Sequence, residues 1–273
     1  MSYTNEKKFI ERVGISSAVF YPEYTELACE RILKLPYKIV ELFLNTDSET
    51  RPAYLQSFKD RADEKGIRFT AVHPYLSGYE GTLFFSDYKR RTYDSINLYR
   101  KFFAAANFLG AKYLIIHGLI QDRRNYPAEE YAEVFAMIAK TAAEYGVTPL
   151  QENIAAGYAS DPDFIKALIK ADSGIKFALD IKHTVLAGRD IYEVIDAMGQ
   201  NLAHIHFSDM MLTEKPPTRA DCRLPFDGNL NLSAILDKLD SINYIGDFVI
   251  EVYKNNYKDE ISLAECYTKL DNM

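Results

Sequence analysis

The sequence predicts an α/β protein, one domain over residues 1–273 folded as a (β/α)8 barrel, and three observations predict it. Strand-like apolar runs recur eight times, amphipathic stretches of helical length separate them, and all five histidines sit at the trailing end of such a run. A parallel barrel gathers the C-terminal ends of its strands at one face. Residues that end different runs therefore converge there, although they lie far apart in sequence.

The elements follow in order. VGISSAVF from Val13 precedes an amphipathic stretch at residues 24–33, and KIVELFL from Lys38 precedes residues 53–65. IRFTAVH from Ile67 precedes residues 88–109, and KYLIIH from Lys112 precedes residues 128–145. The second half repeats the alternation, with VTPLQEN from Val147 and residues 162–171, then IKFALD from Ile175 and residues 190–198. LAHIHF from Leu202 leads to residues 230–239, and DFVIEVY from Asp247 to residues 259–270. β-Branched and aromatic residues favour strand in the short runs. Apolar residues at i, i+3, i+4 and i+7 mark the longer stretches as helices. Asp161-Pro162 and Tyr126-Pro127 read as helix starts, and Gly66, Gly110 and Gly146 stand just past helix ends. A doubly wound open sheet is the alternative, weakened because no Gly-x-Gly-x-x-Gly follows the first strand. Two long connections, residues 74–87 and 208–228, would overhang the same face, where long loops often carry function.

At 273 residues, 48% apolar and 26% charged, the chain has the size and make-up of one such barrel. A net charge of −7 gives no generic attraction to nucleic acid or an anionic membrane, so neither is expected as a partner. Cys29, Cys222 and Cys266 are odd in number and lack Cys-x-x-Cys spacing, which argues against a disulfide framework and a thiolate zinc site. The opening MSYTNEKKFIERVG has no apolar leader core and no run is long enough to span a bilayer, so a cytoplasmic location is expected. The abundant Tyr and Phe, with no Trp, are read as core and interface packing, with a sugar-stacking wall as the sharper alternative.

Glu152, Asp180, His206 and Glu251 end the last four strand runs. Three carboxylates cannot share one spot uncompensated, because like charges raise one another's pKa values. One divalent cation removes that penalty, and this oxygen-rich set suits Mn2+, Mg2+ or Co2+ better than Zn2+. Such a metal would chelate the hydroxyl and carbonyl oxygens of an α-hydroxycarbonyl compound and stabilise an enediolate. Glu152 and Glu251, on opposite sides, would then remove and return a carbon-bound proton. Return to the opposite face is epimerisation; return to the neighbouring carbon is aldose–ketose isomerisation.

These residues resemble the xylose isomerase-like TIM-barrel superfamily, over essentially the whole chain in strand order. That superfamily holds sugar isomerases and epimerases, inosose dehydratases and the endonuclease IV DNA-repair enzymes. The resemblance implies one metal bound by Glu152 in QEN, Asp180 in LDIKH, His206 in HIHFSD and Glu251 in IEVY, and a small carbohydrate substrate. It implies that His183, in the Asp-x-x-His pattern with Asp180, contacts substrate oxygens. Arg223 in DCRLPFDGN resembles an arginine that positions substrate, and His73 and His117 are expected to line the pocket. Homodimers and homotetramers are common in the superfamily. The expected activity is metal-dependent sugar isomerisation or epimerisation, with an inosose dehydratase-like lyase as the alternative. A non-catalytic sugar-binding barrel is a further alternative, and two intact acid–base glutamates speak against it. Much of the endonuclease IV ligand pattern is matched too, His73, His117 and Asp221 included. Yet Arg223 stands where that pattern needs a histidine, and a guanidinium has no lone pair for zinc. A three-metal phosphodiesterase is therefore the weaker alternative.

Other residues have plainer readings. His204 shares the barrel-facing side with His206 and is expected to fill a core layer. Glu41 stands open between structure and function, and Lys182 is expected to point away into solvent. Asp209 is read as capping its loop or orienting His206. Lys89, Arg90 and Arg91 read as the exposed start of a helix. Asp122, Arg123 and Arg124 read as a solvated loop, with a clamp for a substrate phosphate or carboxylate as the alternative.

Overall fold

A computed structural model of the chain describes residues 8–121 and 126–272; Asp122, Arg123 and Arg124 lie outside the described residues. Strands β1 (Val13–Ser16), β2 (Ile39–Phe43), β3 (Arg68–His73), β4 (Tyr113–Ile116), β5 (Thr148–Glu152), β6 (Lys176–Asp180) and β7 (Leu202–Phe207) alternate with helices. A short antiparallel hairpin of β8 (Asp209–Met210) and β9 (Cys222–Arg223) follows, and then β10 (Asp247–Ile250). Strands β1 to β7 and β10 close into a barrel in the order β1-β10-β7-β6-β5-β4-β3-β2, every pair parallel. The expected eight-stranded barrel is present. Each of the eight expected helices is found, with both ends within two residues of their expected positions.

The strands are buried on both faces, as a sheet covered by helices outside and side chains inside requires. Ala71, Ile115, Leu150 and Ala178 pack together inside the barrel, small and branched residues that suit its narrow interior. Their neighbours along the strands, such as Val72, Leu114 and Phe177, join the larger core between barrel and helices, with Phe102, Phe103 and Phe135. Burying each of these large side chains contributes roughly 1.5–3 kcal/mol. Gly66, Gly110 and Gly146 adopt φ of 63°, 73° and 69°, the left-handed conformation that ends a helix at low cost only with glycine. Asp161 caps the helix Pro162–Ala171 by accepting from the Asp163 amide at 3.0 Å, with proline at the first position.

Both long connections leave the C-terminal ends of strands. The first carries the helix Glu80–Phe84 and the second the β8–β9 hairpin. Asp209 holds the second loop, accepting from the amides of Met210, Gly228 and Leu230 at 2.7, 3.0 and 3.1 Å. Lys89, Arg90 and Arg91 form the exposed start of the helix Lys89–Leu109. No helix among the described residues is long and apolar enough to cross a membrane.

At the N-terminal end of the barrel, Asp247 on β10 accepts from the Arg68 guanidinium at 2.5 and 2.9 Å and from Thr70 Oγ1 at 2.6 Å. Arg68 and Thr70 lie on β3, so these bonds tie strands that β1 and β2 separate. Burial works against the charged form of Asp247, but the Arg68 and Thr70 bonds outweigh it and hold its pKa below the ordinary carboxylate value. A depressed folded-state pKa stabilises the protein above the unfolded value of about 3.9, and that contribution is lost as pH falls through the folded one. Asp247→Asn is therefore expected to cost about 1–2 kcal/mol at neutral pH. Thermal melts of both proteins should show a gap that shrinks below about pH 4.

Candidate metal centre

The site is assembled from strand ends. Glu152 ends β5, Asp180 ends β6, His206 is the penultimate residue of β7, and Glu251 follows β10. Asp180 and His206 are direct register partners, and His206 pairs with Val249 on its other side. His206 Nδ1 lies 2.9 Å from Glu152 Oε1, 3.4 Å from Glu251 Oε2 and 3.7 Å from Asp180 Oδ2. One donor atom from each of the four falls within 4.8 Å of the others. A cation with ligands at about 2.1 Å needs its donors about 3–4 Å apart, so this set fits one divalent ion after small side-chain adjustments.

Asp180 and Glu152 each turn one oxygen toward His206. Asp180 Oδ1 accepts from the His183 amide at 2.7 Å and caps the helix Ile181–Leu186, which leaves Oδ2 facing the cluster. Glu152 Oε1 faces His206, while Oε2 has no hydrogen-bond partner although it is buried. His117 Nε2 approaches that oxygen to 3.0 Å, out of line for a hydrogen bond, and His73 Nε2 stands 3.7 Å away. The two histidine Nε2 atoms are themselves 3.0 Å apart. His73, His117 and Glu152 thus form a second convergence of potential ligands, sharing Glu152 with the first.

Glu41 on β2 fixes His206 from behind. Its Oε2 is 3.1 Å from His206 Nε2 and 3.0 Å from His204 Nε2, all three residues fully buried. A carboxylate there requires a proton on His206 Nε2, so Nδ1 faces Glu152, Asp180 and Glu251 and needs either a second proton or a cation between. His204 thus does more than fill a core layer, since it holds the carboxylate that orients His206.

The electrostatics follow from these contacts. Burial disfavours the charged forms of Glu152 and Asp180. The imidazoles of His206 and His117 nevertheless hold Glu152 well below the ordinary carboxylate range, and Lys182 and His183 do the same for Asp180. Burial also disfavours a charged His206, but Glu251, Glu41 and Glu152 push its pKa well above the usual value. His183 goes the other way, because burial outweighs Asp180 and lowers its pKa. Its Nδ1 accepts from the Ala155 amide at 3.2 Å, so the neutral ring carries its proton on Nε2.

Lys182 does not point into solvent. It is buried, its ammonium 2.5 Å from Asp180 Oδ2 and 3.1 Å from Glu251 Oε2, and these two carboxylates hold it charged against burial. The physical reason is the helix Ile181–Leu186: side chains in a first turn lean toward the helix N-terminus, which here is Asp180 itself. The signal was an aspartate able to cap a helix directly after a strand. Above the cluster opens a cavity of about 550 Å3. Glu152, Glu251, Lys182, His183, His73 and His117 all line it. Arg223 does not, for its guanidinium donates to the carbonyls of Ala220 and Cys222 at 2.7 and 2.8 Å. Among the described residues the arginine on the cavity wall is Arg219, and Tyr253 stands beside it; sequence spacing pointed to neither.

Comparison with known proteins agrees with this architecture. The family model described as a xylose isomerase-like TIM barrel matches residues 29–266. An uncharacterized protein of Mycobacterium leprae is 26% identical over 263 residues, covering 88% of each chain. Among solved structures, a D-tagatose 3-epimerase-like protein superposes with a TM-score of 0.77 at 18% identity, over 96% of this chain and 97% of its own. L-ribulose 3-epimerase gives 0.76 at 17%, over 96% and 93%. The IOLI protein with a bound zinc atom gives 0.73 at 18%, over 96% and 95%.

Two substitutions test the electrostatic assembly. Glu41→Gln retains the shape but not the charge behind His206, and calorimetry should show Mn2+ affinity about 10–100-fold weaker. Lys182→Met removes the ammonium that competes for Asp180 and Glu251. The metal-free protein should melt lower, and added Mn2+ should raise its melting temperature by more than it raises that of the wild type.

Proposed function

This chain belongs to the xylose isomerase-like TIM-barrel family, and on that premise we propose that it is a divalent-metal-dependent isomerase or epimerase of a sugar or sugar derivative. The observation that carries the reading is the convergence of Glu152, Asp180, His206 and Glu251 beneath one cavity. The 3-epimerase structures that share the fold support a small carbohydrate as substrate. The oxygen-rich donor set favours Mn2+, Mg2+ or Co2+ over Zn2+. A bound cation would supply Lewis acidity toward substrate carbonyl and hydroxyl oxygens.

The remaining steps belong to the chain's own residues. Glu152 on β5 and Glu251 after β10 stand three strand steps apart around the barrel, and both face the cavity. One carboxylate takes the proton from the carbon beside the carbonyl, leaving an enediolate. The other returns a proton to the opposite face, which inverts that carbon. Return to the adjacent carbon gives aldose–ketose isomerisation instead. His183, neutral and protonated on Nε2, donates a hydrogen bond to a substrate oxygen. The His73–His117–Glu152 convergence is the observation that favours a second reading, a phosphodiesterase with more than one metal. Against it, neither Asp221 nor Arg223 lines the cavity.

The test is proton exchange. Mn2+-loaded protein is incubated with a ketose and aldose panel in deuterated water and followed by NMR. Deuterium is expected beside the carbonyl together with an epimer or aldose product. Glu152→Gln and Glu251→Gln should each lower kcat/KM by about 10²–10⁴-fold. Loss of water from the substrate would make the enzyme a dehydratase. No exchange, with cleavage of an abasic duplex, would overturn the reading in favour of the nuclease.

A further inference from the structure

We propose that the substrate carries a terminal anionic group, a phosphate or a carboxylate, and that Arg219 recognises it. The inference rests on the isomerase reading for the identity of the pocket and extends it to the charge of the substrate. Arg219 opens the 3-10 turn Arg219–Asp221 in the loop after β7 and lines the same cavity as Glu152 and Glu251. Its guanidinium carbon lies 5.7 Å from the centroid of the Tyr253 ring, and the Lys182 ammonium lies 5.3 Å from that centroid.

These two cations differ in what else engages them. Lys182 is bonded to Asp180 and Glu251, so its charge belongs to the metal cluster. Among the described residues no carboxylate stands within ion-pair distance of Arg219. The nearest acid in sequence is turned elsewhere: Asp221 Oδ2 accepts from the Thr218 amide and hydroxyl, each at 2.8 Å. The Thr218 amide bond belongs to a capping box, in which the Asp221 amide in turn meets the Thr218 side chain and fixes the turn, and Asn256 Nδ2 holds the Arg219 carbonyl at 3.2 Å. A guanidinium over an aromatic ring keeps the N–H groups at its edge free for a planar, bidentate partner. Phosphate and carboxylate are such partners, and charge-assisted bonds to them are roughly twice as strong as those to a neutral hydroxyl.

Placement also separates the charges. The carboxylate cluster lies under the cavity, whereas Arg219 sits on the wall with an exposed side chain. A substrate whose anionic group is several bonds from its reacting carbons satisfies both ends at once. The polar chemistry of the pocket thus selects a sugar phosphate or sugar acid over a neutral sugar.

Calorimetric binding to the Mn2+-loaded protein tests this, with wild type and Arg219→Gln titrated side by side. The probes are a ketopentose and a ketohexose, the terminal phosphate ester of each, and the matching sugar acids. Wild type is expected to bind an anionic member at least about tenfold more tightly than its neutral counterpart, and Arg219→Gln to lose that preference. Whichever anion gains identifies the group as phosphate or carboxylate. Equal or weaker binding of both anions overturns the proposal, as does an anionic preference that survives Arg219→Gln. The readout is binding, so an Arg219-dependent preference without turnover would sink the isomerase reading and spare the subsite. Turnover of neutral sugars with no anionic preference would do the reverse.

Discussion

Compensation of buried negative charge is the constraint on which the mouth of this barrel depends. Glu41, Glu152 and Asp180 are fully buried, and Glu251 is partly so. Removing a carboxylate from water costs several kcal/mol even after the protein relaxes, so each must be matched by positive charge or donors. Glu41 receives two imidazole N–H groups, and Asp180 receives a backbone amide and the Lys182 ammonium. What remains is the space between His206 Nδ1 and three carboxylate oxygens, together with one oxygen each of Glu41 and Glu152 that makes no hydrogen bond. A proton on His206 meets part of that demand, and a divalent cation among the four donors would meet more of it.

The supporting shell shows how the fold holds such a cluster in place. Asn153 Oδ1 accepts from the Asp180 amide at 2.6 Å, and its Nδ2 donates to Thr184 Oγ1 at 2.7 Å, locking the end of β5 to the end of β6. Gln151 Nε2 donates to the His117 carbonyl at 2.9 Å, while Tyr131 donates to Gln151 Oε1 at 2.6 Å. Glu80, from the loop after β3, accepts from the Gly118 amide at 2.8 Å and so steadies the residue after His117. Side chains carried on strand ends and braced by such bonds are held in a fixed geometry.

Much of this was legible in the sequence, for a physical reason. A parallel barrel turns strand-end position into spatial proximity, so Glu152, Asp180, His206 and Glu251 could be grouped from their places in eight apolar runs alone. Helix boundaries were equally legible, because glycines with positive φ and an Asp-Pro start mark them by local chemistry. Lys182 was not, since its direction depends on a six-residue helix that follows β6 without a loop. Nor was the placement of Arg219, and not Arg223, on the cavity wall. Their orientation is decided by the β8–β9 hairpin, where Asp209 faces Arg223 in register, and by contacts to Tyr253 and Asn256 from beyond β10. Such long-range placement leaves no periodic trace in the chain.

We propose that Glu152, Asp180, His206 and Glu251 hold a single divalent cation. The most direct measurement is anomalous diffraction from crystals grown with Mn2+. One anomalous peak is predicted, about 2.1–2.3 Å from a carboxylate oxygen of each acid and from Nδ1 of His206. A peak confined to His73 and His117, or none beside His206 Nδ1, would contradict it.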